Sequence, residues 1–226
     1  MKDVLFGDDY FEASFTRLNG NTNYKGSIGA GIYPGVYGTL AQNNAAQITD
    51  MNVRYGRGFV INDQWMITPY MEIGYHKWKR NLETTVCVPT VNPCGNSASE
   101  DYSNNYFSLG GMGQFSPNKF LVFSLNGSVG STFNSSISGK GNNIAAGCTY
   151  YCGLTASFGP QGLGSDLTYK VSALADYAFT KNIHGNIGVN YSEFKYGKSA
   201  IFNVINYEPD SKTNYTTVNV GLGYAF

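Results

Sequence analysis

The chain has 226 residues and sets 15 Lys and Arg against 15 Asp and Glu; only 13% of residues are charged, beside 28 Gly, 18 Tyr, 14 Phe and 2 Trp. So little charge with so much aromatic content excludes a disordered or coiled-coil chain, and zero net charge excludes the basic footprint of a nucleic-acid binder. No apolar run approaches the roughly 18 residues of a membrane-crossing helix, and the length suits a single domain over 1–226.

Residues 1–9 form a tail before the first strand, and no signal peptide is expected in it, because no long apolar run follows Met1-Lys2-Asp3. Such a chain either stays inside the cell or is a mature protein with an added Met. The first alternation of apolar and polar residues is Phe11, Ala13, Phe15. Ser27-Ile28-Gly29-Ala30-Gly31-Ile32 is also strand-like, so the first strand is longer than this alternation or the first loop holds a hairpin. The two-residue period returns at Met51, Val53, Tyr55, Phe59, Ile61, and again at Trp65, Ile67, Pro69, Met71, Ile73, Tyr75. Arg57 falls on the apolar face of its strand, where a mid-membrane Arg costs about 2–4 kcal/mol. Closeness to the turn at Asn62, or a bulge, would relieve it.

Cys87 and Cys94, then Cys148 and Cys152, bracket short polar, turn-rich segments. An oxidising compartment would close them as disulfides, and 87 to 94 with 148 to 152 is preferred among the three connectivities. This favours the mature-chain reading, and a zinc site is disfavoured because both His residues are distant in sequence. Further strands follow at Phe107 to Phe115, Leu121 to Phe133, Leu167 to Phe179, Ile183 to Tyr191 and Val218 to Phe226, which makes eight.

The connections alternate in length. Asn62-Asp63-Gln64, Pro117-Asn118-Lys119 and Thr180-Lys181-Asn182 are tight turns, whereas long loops are expected over about 19–47, 80–103, 135–165 and 198–213. One apolar face and one polar face fit a soluble barrel as well as a membrane one. The loop asymmetry, the even strand number and strands of about ten residues favour an eight-stranded antiparallel up-and-down transmembrane β-barrel. Three short turns would be periplasmic and four long loops extracellular, with the barrel closed because hydrocarbon cannot satisfy an open edge. Aromatic belts are expected near the turns (Trp65, Phe115, Phe120, Tyr177, Phe179, Tyr224, Phe226) and near the loops (Tyr75, Trp78, Tyr106, Tyr169, Tyr191, Tyr196).

The ending Val220-Gly221-Leu222-Gly223-Tyr224-Ala225-Phe226 resembles the closing strand of Gram-negative outer-membrane proteins, and the eight-strand plan resembles the OmpA transmembrane, OmpX and opacity-protein group. The resemblance implies an outer-membrane location, contact with outer-membrane lipid and lipopolysaccharide, and delivery to the barrel assembly machinery through a C-terminal signal at Tyr224 and Phe226. It also implies loops used for envelope structure or for adhesion to a host surface ligand.

An eight-stranded barrel is filled by its own side chains. Glu12, Asp50, Arg54, Glu72, Lys170 and Asp176 are expected inside as a paired polar network, since an unpaired buried charge costs several kcal/mol by general estimates. Its expected role is to seal the barrel; the alternative is a narrow gated channel for ions or small solutes. Lys77, Lys79, Arg80, Lys195 and Lys198 gather at the loop end as candidates for lipopolysaccharide phosphates. Exposed Tyr33, Tyr37, Tyr150, Tyr151, Phe202 and Tyr207 would supply adaptable loop contacts. Some small barrels are lipid A-modifying enzymes, but His184 and Ser192-Glu193 lie roughly 26 Å apart along one strand, and His76 and Glu72 roughly 13 Å. No catalytic residue, cofactor or metal is therefore expected.

Overall fold

The computed structural model describes residues 9–26, 40–82, 97–142, 158–200 and 210–224. Ten strands follow in chain order: β1 (Asp9–Gly26), β2 (Leu40–Arg57), β3 (Phe59–Val60), β4 (Trp65–Leu82), β5 (Ser97–Asn118), β6 (Leu121–Asn142), β7 (Phe158–Gly162), β8 (Leu167–Ala178), β9 (Ile183–Tyr196) and β10 (Ser211–Tyr224). The eight long strands form one antiparallel up-and-down sheet in the order β1-β2-β4-β5-β6-β8-β9-β10, with β3 attached to β4 and β7 to β6. The sheet curls as a barrel wall, and among the described residues its two margins, β1 and β10, are each paired on one side only.

The strand cores fall where the two-residue period lies, but they run well into the segments expected as long loops. β1 reaches Gly26, β2 starts at Leu40, and β5 and β6 are each 22 residues long. The reason is that these extensions are mostly polar, with apolar residues only at isolated inward positions such as Tyr102 and Ile137. Asn43, Asn44, Ser99, Glu100 and Ser103 carry no apolar alternation, yet their backbones continue the ladders. Ser27 to Ile32 lie outside the described residues.

The three tight turns share one device. Asn62 Oδ1 accepts from the backbone N–H of Gln64 and Trp65, Asn118 Oδ1 from Phe120 and Leu121, and Thr180 Oγ1 from Asn182 and Ile183, at 2.9 to 3.2 Å. A short polar side chain thus mimics a backbone acceptor and closes the reversal. The break between β2 and β3 has a different cause. The β2–β4 ladder lapses after Gly56↔Tyr70 and resumes at Phe59↔Ile67, so Arg57 stands opposite Pro69, which has no N–H to donate. Arg57 is exposed on the outer face at this turn end.

A second irregularity lies between β5 and β6, where pairing shifts between Ser103 and Asn105. Asn134 accommodates it with φ of 50°, a left-handed conformation that Asn tolerates better than most residues. Inward parity in β6 therefore passes from even numbers, Asn126 and Thr132, to odd ones, Ser135 and Ile137.

The two faces differ sharply. On β4, Ile67, Met71 and Ile73 are 47 to 57% exposed, while Thr68, Tyr70, Glu72 and His76 are at most 5% exposed. Polar and charged groups thus line the concave side and apolar ones the convex side.

Candidate functional site

Register assembles a row of charges across the first three long strands. Glu12 pairs with Arg54 and Arg54 with Glu72, while two periods nearer the loops Asp50 pairs with His76. The guanidinium of Arg54 donates to Glu72 at 2.6 Å, reaches Glu12 at 3.4 Å and lies 5.2 Å from the Tyr70 ring centroid. Lys170 enters from β8, four places from β2 in the sheet order. Its Nζ donates to Glu72 at 2.8 Å, Asp50 at 3.2 Å and the Tyr106 hydroxyl at 2.6 Å. Tyr106 donates to Asp50 at 3.1 Å, and His76 Nδ1 is 3.3 Å from the same carboxylate. Contacts between strands four places apart mean that the tier spans the lumen rather than running along one wall.

Asp176 is not in this tier. It pairs with His184 at 2.8 Å near the β8–β9 turn, where both side chains are partly exposed. Three two-residue steps along β8 separate it from Lys170, so it shares the face of Lys170 and Glu72 but lies at a different height.

Above the charged tier, toward the loops, lies an aromatic layer that the sequence reading missed. The His76 ring stacks on Phe194 at 3.8 Å, Tyr106 meets Phe194 edge-on at 5.3 Å, and Tyr102 packs against Trp78 and Tyr196 at 5.0 and 5.2 Å. Ile48 and Ile137 complete this buried layer. Trp78, Tyr106 and Tyr196 therefore face inward and are removed from the expected outer belt, which keeps Tyr75, Tyr169 and Tyr191 on the convex side.

Arg80 shares that correction. It is buried, is held by Glu100 at 2.5 Å and lies 5.1 Å from the Trp78 ring and 5.5 Å from the Tyr102 ring, so it belongs to the upper lumen and not to a lipopolysaccharide-facing rim. Its even number gives it the parity of Glu72 and His76, which is the signal that could have found it. Lys77 and Lys79 do point outward; Lys77 pairs with Asp101 at 3.1 Å, and Lys79 is exposed. Lys195 is half-buried on the outward parity of β9, and Lys198 is exposed.

His184, Ser192 and Glu193 are not brought together. Ser192 faces inward, while Glu193 is covered on the outer side by Tyr191, whose hydroxyl donates to it at 2.9 Å. Tyr224 is exposed and pairs with Ile183. Phe226, the four cysteines Cys87, Cys94, Cys148 and Cys152, and the loop residues Tyr33, Tyr37, Tyr150, Tyr151, Phe202 and Tyr207 lie outside the described residues.

Below the charged tier the lumen holds a cavity of about 890 Å³ open toward the turns. No protein-family model, curated protein or solved structure matches this chain.

Proposed function

We propose that this chain is an integral protein of a Gram-negative outer membrane, a β-barrel sealed by its own side chains that holds loops at the cell surface for envelope structure and adhesion. One observation carries the reading: the sheet is inside out relative to a soluble barrel. Its convex face exposes Phe15, Leu125, Val129, Val171, Ile187 and Val218, with Leu125 at 64%, whereas its concave face buries Asp50, Glu72 and His76. Exposed apolar area this continuous requires an apolar solvent, and in such a solvent the β1 and β10 margins have to pair with each other. The filled upper lumen supports a seal over an open channel, because the charged tier and the aromatic layer block the axis in series. Contact with lipid and lipopolysaccharide, assembly through Tyr224 and Phe226, and disulfides at the loop cysteines belong to the same proposal.

Unboiled protein refolded in detergent is expected to migrate faster in SDS gels than boiled protein, with a further reductant-dependent shift if the cysteines are bridged. Identical mobility, in protein folded and soluble without detergent, overturns the membrane reading. Deleting loop segments separates adhesion from a purely structural role: adhesion lost with the barrel intact supports the first.

A substitution on the convex face tests the same point energetically. Leu125→Arg is expected to reduce stability in lipid by about 2–4 kcal/mol, the cost of Arg near a bilayer midplane. If the convex face meets water, the change is nearly neutral. Urea unfolding in bilayers reads the difference.

A further inference from the structure

The cavity below the charged tier is a blind vestibule. Its lining includes the turn residues Asn62 and Gln64 and extends to Arg54 and Asn126, while Asp50, Glu72 and Lys170 contribute nothing to it. Its wall is also two-sided. Met66, Met112, Val122 and Leu174 turn inward from β4, β5, β6 and β8, an apolar collar in a lumen that is charged in its middle.

Glu12 and Arg54 line the same cavity from β1 and β2. Arg54 is committed to Glu72 at 2.6 Å and reaches Glu12 only at 3.4 Å. The Glu12 side chain, 38% exposed, accepts from the Tyr10 hydroxyl and keeps acceptor capacity toward the cavity. Asp9 and Asp63 add negative charge to the lining, and His184 is engaged by Asp176. An acid with spare acceptor capacity thus shares a space of ligand size with apolar side chains.

We propose that this vestibule binds a small amphiphilic cation, an ammonium or guanidinium head on an alkyl or aryl body. The head sits at Glu12, and the body lies against Leu174 and the methionines, whose flexible thioethers mould to irregular apolar shapes. The blind end makes the vestibule a binding site rather than a passage. The inference rests on the proposed membrane reading for orientation alone: with the turns periplasmic, the ligand enters from the periplasm.

Octylammonium tests it, with octyl sulfate as the charge-reversed control, titrated calorimetrically into protein held in lipid nanodiscs and into empty nanodiscs. Saturable single-site binding of the cation is expected, weakened about tenfold in Glu12→Gln, which removes the charge assistance. It should be lost in Leu174→Trp, which fills the apolar side. Each variant is first checked for heat-modifiable mobility, and Met112→Gln replaces Leu174→Trp if the latter does not fold. Heat no greater than that of empty nanodiscs, equal affinity for the sulfate, or wild-type binding in both variants overturns the proposal. Failure of the membrane reading shows separately, as protein soluble without lipid; the titration is then run in buffer with the same criteria.

Discussion

Replacing Lys170 by Met is expected to lower the unfolding free energy by about 3–5 kcal/mol, the usual consequence of removing one partner from a buried ionic cluster. The ammonium of Lys170 touches Asp50, Glu72 and Tyr106, and the side chains of Asp50 and Glu72 are 4% and 0% exposed. Without Lys170, Glu72 retains Arg54, but among the described residues Asp50 retains His76, Tyr106 and Asn52, none of which carries a fixed charge. Most of the loss should therefore fall on Asp50. Asp50→Asn in the Lys170→Met background is expected to recover part of it, giving a coupling energy above about 1 kcal/mol in a double-mutant cycle. Urea unfolding of the four proteins in the same bilayer measures this. A Lys170→Met loss below 1 kcal/mol, or strict additivity, would show that the tier is hydrated and that its ion pairs do not seal the lumen.

That tier was half legible in the sequence. Parity alone assigns Glu12, Asp50, Arg54, Glu72 and Lys170 to one face, since a strand sends alternate side chains to opposite sides. What parity does not supply is height, because height depends on the pairing register between strands remote in sequence. Asp176 has the correct face and the wrong level for that reason, and His76 finds Asp50 on the neighbouring strand rather than Glu72 on its own. The aromatic layer was concealed by a different assumption. Position at strand ends fits a membrane belt, but Trp78, Tyr106 and Tyr196 carry the parity of the polar face. The strand extensions beyond the apolar core carry only isolated inward apolar residues, Tyr102 and Ile137 among them, so no periodicity marks them although their backbone ladders continue.

Read from the turns upward, the lumen passes from a half-apolar vestibule to a charged tier to an aromatic layer. These levels resist passage by different means. A hydrated ion entering at the turn end meets fixed charges that are already paired, and beyond them a layer of stacked, tilted and edge-on rings. Disrupting the ion pairs alone therefore leaves a barrier in place, and Lys170→Met is expected to weaken the fold without producing steady conductance in planar bilayers.

The aromatic layer depends in turn on glycine, and Gly74→Ala is expected to remove about 3 kcal/mol, at the upper end of overpacking in a well-filled interior. Gly74 on β4 is the cross-strand partner of Tyr106 on β5, and four residues away Tyr70 is the partner of Gly110. In both pairs the tyrosine ring lies over the glycine, covering a backbone that would otherwise be bare. A methyl group at Gly74 would overlap the Tyr106 ring and stand 2.6 Å from the carbonyl oxygen of Met51. Tyr106 is fully buried and bound to Asp50 and Lys170, so moving it disturbs the charged tier as well. At Gly110 the nearest obstacles are all atoms of the Tyr70 ring. This difference separates the two sites. In a Tyr70→Ala background, Gly110→Ala should become neutral or favourable, because Gly in a strand is about 0.5–1 kcal/mol less stable than Ala. In a Tyr106→Ala background, Gly74→Ala should remain destabilising, because the Met51 carbonyl is backbone and cannot rotate away. Unfolding free energies for the two cycles, measured in one lipid, decide the matter. Relief of both glycine substitutions to the same extent would mean that β2 and β4 separate freely at Met51.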